Sequence, residues 1–114
     1  MILRRNEMKS EEKDKLRGGE GITEFTYLAD AEKEKNIRLL AELTLKPGCS
    51  IGYHPHENET EYYLILSGAG IVDDNGTEVS VGAGDTVITG NGASHSIKNT
   101  GNVPLKMHAV IVTH

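Results

Sequence analysis

Residues 48–68 read GCSIGYHPHENETEYYLILSG, and the rest of the chain is organised around this stretch. His54 and His56 flank a single residue. Alternate side chains of a β-strand point to one face, so both imidazoles can aim at a common point. Glu57, Asn58, Glu59 and Thr60 form a polar break, after which Tyr62-Tyr63-Leu64-Ile65-Leu66 is apolar again. That pattern predicts a hairpin with Glu61 at the start of the returning strand, where its carboxylate can face the same point. Two imidazoles and a carboxylate converging from a hairpin make most of a metal site. A further histidine, His95, follows the glycine-rich turn that begins at Gly90-Asn91-Gly92 and runs into another short strand.

Outward from this hairpin, the chain keeps the same style. Ile37 to Leu45 reads as a strand ended by the turn signal Lys46-Pro47-Gly48. Upstream, Gly18, Gly19 and Gly21 interrupt the chain before a first strand, Ile22 to Leu28, whose apolar residues alternate only loosely. Ala29 to Asn36 is a charged loop or one helical turn. Downstream, Asp73-Asp74-Asn75-Gly76 suits a type I′ hairpin between Ile71-Val72 and Glu78 to Val81. Thr86 to Thr89 and Val103 to Thr113 supply further strands. Short strands punctuated by glycine turns predict an antiparallel sandwich or barrel. Residues 1–20 carry the charged run KSEEKDK and read as a solvated segment or arm, leaving 21–114 as a single β-domain.

Composition narrows the class of protein. The 114 residues suit one domain, and 25% charged with 37% hydrophobic residues is a globular balance. A net charge of −5 argues against nucleic acid, whose phosphates select basic surfaces. No apolar run is long enough to span a bilayer, and the N-terminus lacks the apolar core of a signal peptide. The single cysteine, Cys49, has no internal disulfide partner and reads as a small buried or turn residue. The expectation is a cytoplasmic protein with neither nucleic acid nor membrane as partner.

Two sets of fixed spacings now acquire a meaning together. Gly48, His54, His56, Glu61 and Gly68 match G-x5-H-x-H-x4-E-x6-G, and Gly84, Gly92, His95 and Asn99 match G-x5-P-x-G-x2-H-x3-N with Gly90 in place of proline. The chain thereby resembles the cupin superfamily, in particular its small single-domain members. The resemblance implies an all-β fold, a double-stranded β-helix or jelly-roll barrel of two antiparallel sheets. It also implies that His54, His56, Glu61 and His95 are the ligands of a metal inside the barrel. Such a donor set suits Mn, Fe, Ni, Cu or Zn, with coordination positions left open for a ligand.

Strand parity extends the site. If Glu61 points inward, Tyr63 and Ile65 follow it; if His95 does, so does Ile97. A pocket of that kind takes a small oxygenated molecule, to which Tyr63 either donates a hydrogen bond or merely packs with its hydroxyl at the rim. Glu57 and Glu59 fall in the turn and read as solvated; His108 and His114 lie outside both motifs. The expected function is metal-dependent dioxygenase, decarboxylase or isomerase chemistry, the alternative being a non-enzymatic module that binds or senses a small molecule or metal. No catalytic acid or base is placed beyond the ligands. Proline at position 90 would pre-set φ, so Gly90 predicts a loose turn before His95. Gly90→Pro is expected to raise stability if the local φ is compatible and to lower it if Gly90 needs an angle proline cannot adopt. Apolar residues of both parities at Leu39 to Leu43, Tyr62 to Leu66 and Val110 to Val112 need cover on both faces. A homodimer using an outer sheet face and the strand Ile22 to Leu28 would supply it, and small cupins are commonly homodimers.

Overall fold

The alternation read along Ile37 to Leu45 is realised in the computed structural model, which describes residues 1–114. Ala41, Leu43 and Leu45 are buried to within 1% exposure while the residues between them face outward. The strands are β1 (Ser10–Asp14), β2 (Ile22–Tyr27), β3 (Ile37–Leu45), β4 (Ser50–Pro55), β5 (Glu59–Ser67), β6 (Ala69–Asp74), β7 (Thr77–Gly82), β8 (Thr86–Gly90), β9 (Ser94–Asn99) and β10 (Leu105–Thr113). They form two antiparallel sheets, β1-β2-β3-β10-β5-β8 and β4-β9-β6-β7. Helical structure is confined to short 3-10 turns, and no helix is long and apolar enough to cross a membrane. This is the expected all-β jelly roll of two sheets, a double-stranded β-helix.

The core lies between the sheets. Leu43, Leu45, Leu105 and Met107 from the large sheet meet Ile51, Val72 and Ile97 from the small one. Each large apolar side chain buried there contributes roughly 1.5–3 kcal/mol. At the turns, the fixed glycines Gly48, Gly68, Gly84 and Gly92 all have φ between 82° and 93°, a region that only glycine takes without strain. Asn99, the last motif position, is a structural residue. Its amide donates to the Leu45 and Val103 carbonyls at 2.8 Å, and its oxygen accepts from Gly101 N–H at 2.9 Å.

Four features differ from the sequence reading. Residues 48–68 are not a hairpin: β4 pairs with β9 in the small sheet and β5 with β10 and β8 in the large one, so His54 and His56 meet Glu61 across the two sheets. The charged N-terminal segment is tied to the sheet: β1 pairs along β2 from Ser10↔Thr26 to Asp14↔Ile22, and Arg5 grips Glu42 of β3. Its side chains remain largely exposed, which explains their polarity. As a result, β2 is flanked on both sides, by β1 and β3, and offers no open edge. At Gly90, an added Cβ would lie 2.5 Å from Thr60 Oγ1 and 3.1 Å from the Glu59 carbonyl. The close approach of β8 to β5 therefore crowds any Cβ at this position, so that proline there requires Thr60 to shift, a cost set against the gain expected from a pre-set φ.

Two bulges set the face of key residues. Between Ile51 and His54, β4 carries one residue more than β9, since Ile51 pairs with Ile97 and His54 with His95. The extra residue switches parity, so Ile51 and both histidines all point inward. On β3, Leu39 pairs with Ile111 and Ile37 with Val112, leaving Arg38 as the bulged residue.

Candidate metal centre

The inward parity of β4 carries His54 and, just past the strand's end, His56 to one end of the core, β5 brings Glu61, and β9 brings His95. All four are buried, at 6%, 1%, 3% and 0% exposure. Their ligand atoms lie within 4.8 Å of one another. His95 Nε2 is 3.1 Å from His56 Nε2 and 3.2 Å from His54 Nε2, and Glu61 Oε1 is 2.9 Å from the Nε2 atoms of His56 and His95.

The opposite ring nitrogens are all occupied. His54 Nδ1 contacts the Gly52 carbonyl at 2.6 Å, and His56 Nδ1 contacts Glu59 Oε2 at 2.5 Å. Both partners only accept, so Nδ1 carries the proton in each case. His95 Nδ1 pairs with the Thr89 hydroxyl at 2.8 Å, which can accept in the same way. The Nε2 lone pairs then converge on one point. Neighbouring ligands about 2.1 Å from an ion and at right angles lie about 3 Å apart. Four of the separations, at 2.9–3.2 Å, have that spacing, and His54 Nε2 stands farther from Glu61 Oε1 at 3.8 Å. Three buried lone pairs and a carboxylate turned toward each other suit a cation.

The titration behaviour agrees. Burial would raise the Glu61 carboxyl, but its contacts with the imidazoles of His54, His56 and His95 outweigh it and hold the group well below the usual carboxylate range. Burial lowers His95, keeping it neutral. At His56 burial also lowers, yet bonds to Glu61 and Glu59 reverse the net direction.

A cavity of about 230 Å³ opens beside the cluster. His54, His56, Glu61 and Tyr63 border it, with apolar walls from Leu39, Leu43, Ile51, Phe25 and Ile111 and three cations, Lys13, Arg17 and Arg38. Tyr63 is 2% exposed and stacks on the His95 ring at 4.9 Å and 11°, so its hydroxyl does not sit at a solvent rim. Ile65 and Ile97 are buried in the core and lie outside the cavity lining. Glu59 is not solvated: besides His56, it holds Arg38 in a paired contact at 2.8 and 2.9 Å. Its position two residues before Glu61 was the signal for this, since both share a face of β5. Thr89 was readable too, because it lies opposite Glu61 across β5 and β8. His114 reaches Thr60 Oγ1 at 3.0 Å, and His108 lies on the outward parity of β10; neither joins the cluster.

Comparison with known proteins gives this geometry a family. An oxalate-binding protein of Thermotoga maritima is 45% identical over 113 residues, covering 98% of this chain and 93% of the relative. A crystal structure described as a predicted oxalate decarboxylase of the same organism superposes with a TM-score of 0.94 at 43% identity, over all of both chains. A sugar phosphate isomerase of Silicibacter pomeroyi shares the fold at a TM-score of 0.79 and 17% identity, covering 100% of this chain and 76% of the other. A family model described as "Cupin domain" matches residues 41–112, which contain all four converging side chains. The chain belongs to the cupin family.

Proposed function

We propose that His54, His56, Glu61 and His95 hold a divalent transition metal, and that the adjoining cavity admits a small carboxylate, oxalate first among candidates, to its open positions. The observation that carries this reading is the convergence of four ligand atoms with every Nδ1 fixed from behind. The cationic lining supports an anionic ligand, and the name of the Thermotoga maritima oxalate-binding protein points to the same class. A metal in this donor set supplies Lewis acidity to a bound carboxylate. The chain's own residues orient it: Glu61 stays anionic, Tyr63 packs behind His95, and Leu43, Ile51 and Ile111 exclude water. Apart from Glu61, no carboxylic acid borders the cavity. That favours capture over cleavage, which needs a proton donor for its product. Turnover is the second reading, and it rests on Tyr63, whose phenol is the one hydroxyl donor besides Tyr27 on the cavity lining.

The test is calorimetric titration of oxalate into metal-free and metal-loaded protein, with formate and carbon dioxide measured in parallel. Saturable binding that needs the metal is expected. A metal-loaded protein that ignores oxalate and related small acids contradicts the carboxylate reading, and formate release moves the reading to decarboxylation.

We also propose a homodimer. Ile88, Tyr62, Val110 and Leu40 face each other in one row across β8, β5, β10 and β3 on the outside of the large sheet. Ile88 is 61% exposed there. A second copy on this face supplies the cover, with β2 contributing its face and not an edge. Sedimentation equilibrium is expected to give twice the 12.4 kDa chain mass; a concentration-independent monomer contradicts it.

A further inference from the structure

The three cations that line the cavity differ in what else they do. Arg38 is held by both oxygens of Glu59. Lys13 lies over the Phe25 ring at 4.7 Å and 3.8 Å from Glu11. Arg17 makes no ion pair and no side-chain hydrogen bond, although it borders the same cavity as His54, His56 and Glu61. Arg17 is exposed at the cavity mouth with no protein partner for its guanidinium, which leaves it available to pair with an anion that enters.

The backbone is built to keep it there. Leu16, just before it, packs against the core. Lys15 N–H donates to the Gly21 carbonyl and Ser50 N–H to the Glu20 carbonyl, both at 2.8 Å, while Glu20 N–H donates to Ser50 Oγ at 2.9 Å. The first closes the segment's own loop, and the two between Glu20 and Ser50 fasten it to β4. The approach is so close that a Cβ on Gly52 would sit 2.1 Å from the Arg17 carbonyl oxygen, and one on Gly19 would sit 2.2 Å from that of Ser50. Neither glycine has a left-handed φ; both are needed for space alone. Arg17 itself is held at φ 55° and ψ 27°, a left-handed conformation that a non-glycine residue keeps only when its surroundings impose it. Gly52 also belongs to the β4 bulge, and its carbonyl is the partner of His54 Nδ1. One glycine thus seats the segment and positions a histidine of the cluster.

We infer that Arg17 is the specificity-determining residue of the cavity, selecting a doubly charged carboxylate, and that residues 10–19 form the strap that delivers it. The inference rests on the reading of the cavity as a carboxylate site. Oxalate and oxamate share size and shape but are doubly and singly charged, so their affinity ratio reports charge selection apart from fit.

The experiment titrates both anions into the metal-loaded full chain. Wild type is expected to prefer oxalate. Arg17→Gln is expected to weaken oxalate by about 10–100-fold, the effect of one lost charge-assisted pairing, with oxamate affinity and metal content unchanged. Arg17→Lys restores part of the preference because the charge returns without the paired geometry. Gly19→Ala, which drives the strap from β4 at Ser50, reproduces the loss with Arg17 still present and metal content unchanged. Oxalate affinity unchanged in Arg17→Gln, or both anions weakened equally, overturns the inference while the metal–carboxylate reading stands. Full preference retained in Gly19→Ala overturns the strap's part. A metal-loaded wild type that binds neither anion overturns the carboxylate reading and this inference with it.

Discussion

Replacing His54 and His56 together by Ala is expected to abolish stoichiometric metal binding and to erase the difference in stability between metal-loaded and metal-free protein. An ion that binds only the folded state stabilises it by about 2.7 kcal/mol at 100 times its Kd and about 4.1 at 1,000 times. For a domain of this size that is a rise in Tm on the order of ten degrees or more. The wild type should show this rise when metal is added, and the double variant should melt at one temperature with or without it. The comparison is made within each protein, so any packing cost of the substitutions cancels. A variant that still gains stability on adding metal contradicts the ligand assignment.

Glu59→Gln is expected to weaken metal binding by about 10–100-fold without removing any ligand, the usual effect of losing a partner behind a metal-binding histidine. The substitution replaces the carboxylate that accepts from His56 Nδ1 and anchors Arg38. An amide oxygen still accepts, but without charge, so His56 loses basicity and orientation. Glu57→Gln is the control, because Glu57 is exposed and joins neither contact. Competition with a metallochromic chelator measures both. Equal affinities in the two variants show that Glu59 acts only as a surface ion-pair partner of Arg38.

The fold was legible because its signals are local. Asn75 and Gly76 take φ of 49° and 103° where the sequence asks for a type I′ turn, and the alternation in β3 shows its inward face directly. The four converging side chains were legible because strand parity and fixed spacing encode them. What surrounds them was only partly so. Glu59 and Thr89 share faces with residues already singled out, and parity alone finds them once the strands are placed. Arg38 is different: its parity points outward, and only the bulge opposite Ile111 and Val112 re-aims it toward Glu59 and the cavity. Bulges leave no mark in a hydrophobic pattern.

Arg17 was hidden for another reason. The segment that carries it is polar because its side chains are exposed, so its composition imitates a free arm. Its attachment is made by backbone hydrogen bonds and by two glycines that leave room for it. The same glycines read, in sequence, as simple breaks or strand residues. Position 90 repeats the lesson on a smaller scale: a glycine that looks like a loosened turn is a tight contact between β5 and β8.

The central claim is that one metal ion sits among four side chains inside the barrel. An anomalous-difference map from crystals of the full chain soaked with Mn²⁺, Co²⁺ or Zn²⁺ tests it most directly. The account predicts a single strong peak between the Nε2 atoms of His54, His56 and His95 and the carboxylate of Glu61. No peak there, or a peak only at the polar cleft formed by Glu57, Asn58, Asn91 and His114, contradicts it.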